Sequence, residues 1–140
     1  MGGDRRRTSG LGVLARPSAI FAGGALGAAI RTGLVELAPP AAGHWPWVTF
    51  SANVVGCLLL GYFVTRLQER LPITAYRQPF LGTGVCGALT TFSTMQVELL
   101  RMLDRGELLL VAAYAGGSIV AGFVGVTLGT AVVRRARLTW

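Results

Sequence analysis

Lysine is absent from this 140-residue sequence, histidine occurs once (His44), and cysteine twice (Cys57, Cys86). Acidic residues number only six. Each shortage excludes some chemistry. The two cysteines stand alone in apolar runs, without C-x-x-C spacing or a nearby histidine, so they read as small buried hydrophobes and not as zinc ligands. His44 sits beside Trp45 and Pro46, as a loop or interfacial residue would. The acids (Asp4, Glu36, Glu69, Glu98, Asp104, Glu107) lie mostly near segment ends. No carboxylate pair, metal cluster or nucleophile–base set falls inside an apolar run, so an enzyme has little to stand on. For the same reason no buried carboxylate is expected to wait for a cation. Charge of either sign is scarce, at 14% of residues, against about 25% in an average soluble domain.

What the chain does have is apolar surface and glycine: 52% hydrophobic residues and 20 glycines. The apolar residues gather into four segments, about 17–37, 47–66, 79–103 and 107–133. Each approaches the roughly 20 residues that cross a hydrocarbon core. The expected fold is an all-α membrane protein with four transmembrane helices. Residues 1–16 read as a basic cytoplasmic tail in preference to a cleavable signal, 17–134 as the four-helix domain, and 135–140 as a C-terminal tail. The connections are short and leave no room for an extramembrane domain.

All thirteen basic residues are arginine. They cluster at the ends of apolar runs and lack interleaved aromatics, so orientation in a membrane is a better reading than nucleic-acid binding. Arg5, Arg6, Arg7, Arg16, Arg66, Arg70, Arg77, Arg134, Arg135 and Arg137 share one face; only Arg101 and Arg105 lie on the other. Ten against two places both termini in the cytoplasm by the positive-inside rule. Arg31 falls within the first span, where an arginine is costly unless it works or snorkels.

The spans carry neutral polar residues. Thr49 and Asn53 share one helix face, as do Tyr114 and Ser118. The third span, uncharged from Pro79 to Val97, contains "CGALTTFSTM" (Cys86 to Met95). Unpaired polar groups in hydrocarbon cost several kcal/mol, so these must bond across helices or line a wet path. Hydroxyl and amide donors, with the electropositive edge of Phe92, suit a small anion better than a cation. Gly23 and Gly27, and the stripe Gly117, Ala121, Gly125 and Gly129, read as helix-contact faces.

These residues resemble the Fluc/CrcB-type fluoride ion channel family. "CGALTTFST" is similar to the family's third-span signature, "GGALGAAIRTG" (Gly23 to Gly33) to its first-span motif, and "TFSANVVGCLLLG" (Thr49 to Gly61) to its second. The resemblance implies four-span subunits forming an antiparallel dimer with two fluoride pores, the third helix broken near its middle. It assigns Asn53 as a pore amide and Phe92 as a ring meeting the ion edge-on. Thr49, Ser93, Tyr114 and Ser118 become pore-lining or supporting positions, with Arg31 as the family's first-span arginine. It puts Gly87 and Thr90 at the break, their carbonyls holding a structural sodium ion on the dimer axis. The expected partners are therefore fluoride, membrane lipid and an oppositely oriented second subunit, with no nucleic acid.

The chain departs from the family pattern in two respects. Met95 stands where a second phenylalanine is usual, and the arginine bias opposes insertion of one sequence in both orientations. The second departure favours one half of a heterodimer over a homodimer. Two alternatives remain: a small multidrug-type four-span transporter, for which Glu36 is the nearest carboxylate, and a structural membrane protein without a transport role.

Overall fold

The computed structural model describes residues 10–37, 43–69 and 76–136. The expected tail residues Asp4 to Arg7, the Pro39-Pro40 turn, Arg70 and Arg137 lie outside them. Helix α1 spans Gly10–Leu37 and α2 spans Trp47–Glu69. The third segment comes in two pieces. A π-helical stretch, Pro79–Cys86, runs directly into an α-helical turn, Gly87–Leu89, and the pair is α3. After Thr90 and Thr91 the chain resumes as α4, Phe92–Asp104, and then as α5, Leu108–Arg135. The tight turn between α4 and α5 needs Gly106, whose φ of 75° is a left-handed conformation.

Three stretches, Leu14–Leu37, Trp47–Gln68 and Leu108–Arg135, are each long and apolar enough to cross a bilayer. The fourth crossing is α3 and α4 together, interrupted in mid-course. Helix α1 begins earlier than hydropathy alone indicates, at Gly10, and contains Pro17 in its first turns.

Lipid is as apolar as a leucine side chain, so helices associate here by close backbone packing and not by a hydrophobic drive. Glycine makes that possible on two seams. A β-carbon on Gly23 would collide with the carbonyl of Phe80, and one on Gly27 with the carbonyl of Val85, which makes the G-x-x-x-G the face that joins α1 to α3. Gly61 meets the carbonyl of Val126 and Gly129 that of Leu58, joining α2 to α5 from both sides. The outward surface is apolar: Phe21, Leu109, Ile119 and Phe123 are all more than two-thirds exposed, as lipid-facing side chains should be.

One compact cluster forms where α4 meets α5. Met95, Met102 and Tyr114 are buried there, with Trp45, Phe50 and Leu99 packed around them. Helix α4 is amphipathic, and its inner face carries Met95, Glu98 and Met102.

Candidate functional site

The break has an identifiable cause. Gly87 remains helical (φ −65°, ψ −32°), and the chain leaves the helix one turn later, at Thr90 (ψ 146°) and Thr91 (φ −143°, ψ 110°). Both are β-branched and poor in helix interiors, and threonine is a good N-cap. Thr91 takes that role for α4: its Oγ1 accepts from the amide of Thr94 at 3.1 Å and donates to Thr94 Oγ1 at 2.9 Å. Its backbone is held from α2, where Asn53 Oδ1 accepts from the Thr91 amide at 2.7 Å and Asn53 Nδ2 donates to the Thr91 carbonyl at 3.3 Å. Gly56, one turn along α2, leaves the space filled by the methyl group of Thr90.

A helix end inside a membrane leaves carbonyls that must find donors. At the end of α3, Cys86 O accepts from the amide and the hydroxyl of Thr90, at 3.1 and 3.0 Å. Ala88 O accepts from Arg31 Nε at 3.1 Å. The arginine of the first span is therefore half-buried and serves the break in the third.

A second polar cluster lies deeper in α4, and it corrects the expectation that no carboxylate is buried. Glu98 is 6% exposed. Its Oε1 accepts from Thr49 Oγ1 and its Oε2 from Tyr114 Oη, both at 2.6 Å. Thr49 and Tyr114 are themselves buried, at 3% and 0% exposure. A carboxylate at the end of a charge-free run looks interfacial in sequence. What pulls it inward is the amphipathic register of α4 and the two hydroxyls waiting on α2 and α5.

The structure thus joins Thr49 to Tyr114 through Glu98, Asn53 to the break through Thr91, and Arg31 to the break through Ala88. Met95 packs beside Tyr114 in the buried cluster. Phe92 and Ser93 are not drawn into the subunit. Phe92 is 68% exposed, and Ser93 Oγ lies 3.3 Å from Thr91 Oγ1. The Ser118 hydroxyl is buried with no hydrogen-bond partner among the described residues, and so is the indole nitrogen of Trp45. Glu98, Thr91 and Trp45 were missed by sequence reasoning. Glu98 alone left a signal, in its i, i+3 spacing from Met95 on one face of the third segment.

No grouping of three or more His, Cys, Asp or Glu side chains among the described residues could hold a metal. A cation here would need backbone oxygens. Gly87 and Thr90 fit a hard cation to that extent. Thr90 leaves the helical ladder, the Gly87 carbonyl has a long contact of 3.4 Å to Thr90 Oγ1, and among the described residues no other element comes within 4 Å of a β-carbon placed on Gly87.

Residues 18–130 match the family described as CrcB-like protein, Camphor Resistance (CrcB). The chain belongs to the CrcB family. It is similar to the "Fluoride-specific ion channel FluC 1" of Mycobacterium bovis, with 57% identity over 121 residues, 86% of this chain and 92% of that protein. The "Fluoride-specific ion channel FluC 2" of Nocardia farcinica is 38% identical over 84% of each chain. The "Fluoride-specific ion channel FluC" of Chlorobium phaeobacteroides is 39% identical, covering 77% of this chain and 84% of its own. In this CrcB chain the matched region holds every residue of the two polar clusters, from Arg31 to Tyr114.

Proposed function

We infer that this chain is a subunit of a fluoride-selective ion channel that lets fluoride leave the cell passively. The observation that carries the reading is the neutral polar network at a helix break in mid-membrane, in a chain 57% identical to a protein called a fluoride-specific ion channel. A desolvating anion needs donors already in place. Asn53 gives one of its two amide protons to Thr91 and, among the described residues, keeps the other. Ser118 keeps its hydroxyl proton. Ser93 is exposed beside Phe92, whose ring edge is electropositive. Met95 offers a polarizable thioether where the family usually has a second ring. An inside-negative potential drives the anion outward with about 2.3 kcal/mol per charge per 100 mV.

The reading includes an oppositely oriented second subunit. Support comes from Phe92, which projects from the break with 68% of its surface exposed, and from the open side of Gly87. Backbone oxygens of Gly87 and Thr90 from two subunits would supply the oxygen-rich site that sodium prefers, and bound sodium would neutralise carbonyl charge at the break. The arginine bias supports cytoplasmic termini in a plasma membrane and a partner that is a related chain with the opposite bias. A multidrug-type transporter would need a free buried carboxylate. Glu98 is buried, but both its oxygens already accept hydrogen bonds.

The test is anion efflux. Liposomes carrying the purified chain, loaded with potassium fluoride or potassium chloride, are made potassium-permeable and read with ion electrodes. Fluoride release with chloride retained is expected. Equal release of both, or of neither even with an oppositely biased CrcB chain co-reconstituted, would remove the reading. Release only with the second chain present identifies a heterodimer.

A further inference from the structure

Most of the donors around the buried cluster are already committed. Thr49 and Tyr114 have one hydroxyl proton each, and both go to Glu98. One amide proton of Asn53 goes to Thr91. Two buried side-chain atoms remain without a partner among the described residues, Ser118 Oγ and Trp45 Nε1. Ser118 follows from its place in an apolar span. Trp45 calls for a separate account.

Trp45 and Trp47 stand two residues apart with opposite surroundings. Trp47 is 66% exposed, as an interfacial anchor should be. Trp45 turns inward. Its ring centroid lies 5.4 Å from that of Tyr114 at 79°, and 5.3 Å from that of Phe50 at 77°. Its far edge fills the space left by Gly117, with Cη2 3.2 Å from where a β-carbon would stand. These contacts are all ring contacts, which a phenylalanine could also make. None of them explains a buried N–H, and an indole nitrogen can only donate. A donor kept dry without an acceptor is costly, and a structure retains one where something transient accepts from it.

We propose that the indole N–H of Trp45 is a hydrogen-bond donor to the permeating anion, at the mouth of the pathway beside Tyr114. The proposal rests on the fluoride-channel reading. Its physical role is to offset Glu98. An anion passing that carboxylate meets an acceptor whose two hydroxyl donors are occupied, so it needs a donor of its own at the same level. The half-buried ring packs against Tyr114, Phe50 and Gly117, contacts that oppose its retreat from a larger halide, so the N–H favours the smallest one.

Trp45→Phe tests this in the intact channel, because it keeps the ring and deletes the donor. Fluoride efflux about tenfold below wild type, with unchanged elution and thermal stability, is expected from losing one hydrogen bond to a charge. Efflux within twofold of wild type overturns the proposal. A second readout does not depend on conduction. In 15N-tryptophan-labelled wild-type protein, the Trp45 indole resonance, assigned by elimination with Trp47→Phe and Trp140→Phe, should shift with sodium fluoride and not with sodium chloride at equal sodium. A resonance indifferent to fluoride means that only a resident water sits there, and overturns the proposal. Absence of wild-type fluoride flux even with the oppositely biased chain co-reconstituted would instead sink the channel reading. Wild-type flux with an unaltered Trp45→Phe variant sinks this inference alone.

Discussion

Asn53 holds the peptide backbone of Thr91 with both ends of its carboxamide, accepting at 2.7 Å and donating at 3.3 Å. One side chain on α2 thereby keeps the third segment from closing into a continuous helix. Asn53→Ala should leave the Thr91 amide and carbonyl unpaired in a half-buried site, at about 1–3 kcal/mol. Fluoride efflux should fall at least tenfold, because the variant loses the donor proposed for the ion as well as the clamp. Asn53→Asp keeps the acceptor and sets a carboxylate oxygen against the Thr91 carbonyl, so it should be no better. Efflux from liposomes, paired with denaturant titration in detergent micelles, separates the two effects.

Thr49 and Tyr114 are joined through Glu98 and should behave as a pair. Both donate to Glu98, so Thr49→Val and Tyr114→Phe each strip one oxygen of its partner. Each single change is expected to cost about 1–3 kcal/mol. The double variant should deviate from their sum by about 0.5–3 kcal/mol, as residues sharing a network do. A double-mutant cycle on unfolding free energy measures this; strict additivity would mean that Glu98 does not couple them.

The glycines divide into two kinds. Gly23, Gly61 and Gly129 each stand against a carbonyl of a facing helix, so Gly61→Val or Gly129→Val should force α2 and α5 apart and abolish a monodisperse elution peak. Gly24 and Gly116 meet nothing within 4 Å. Alanine at either should be tolerated by the subunit and should stabilise its helix by about 0.5–1 kcal/mol. Elution profile and melting temperature of the variants decide the matter.

Removal of sodium should abolish conduction if carbonyls of Gly87 and Thr90 hold that ion. With sodium exchanged for a bulky organic cation on both sides of the membrane, fluoride efflux is expected to fall to the level of empty liposomes and to return when sodium is restored. Efflux indifferent to the exchange would leave the carbonyls at the break without a metal role.

Much of this was legible in the sequence. Four apolar segments predict four crossings, because that pattern rests on local composition; the break in the third helix is implied by the family resemblance of the threonine-rich run. The G-x-x-x-G of α1 was legible as a contact face, though not its partner carbonyls. What composition could not reveal depends on residues far apart in the chain. The resemblance puts Gly87 and Thr90 at the break, yet Gly87 is helical and the chain leaves the helix at Thr90 and Thr91, where α2 supplies the asparagine that stabilises an extended peptide. Glu98 reads as an interfacial acid until Thr49 and Tyr114 are brought to it. Trp45 and Trp47 are equivalent as letters beside one proline, and packing against Tyr114 and the gap at Gly117 distinguishes the half-buried ring from the exposed one.

The interruption at Thr90–Thr91 also has an electrical consequence. Aligned peptide dipoles leave about half a negative charge at a helix's C-terminal end and about half a positive charge at its N-terminal end. In an unbroken helix these cancel along its length. Here α3 ends at Leu89 and α4 begins at Phe92, so the two opposite poles face each other across two residues. A stretch of sequence with no ionised side chain from Pro79 to Val97 thereby presents both signs of partial charge in mid-membrane, neither of which a change of pH can remove.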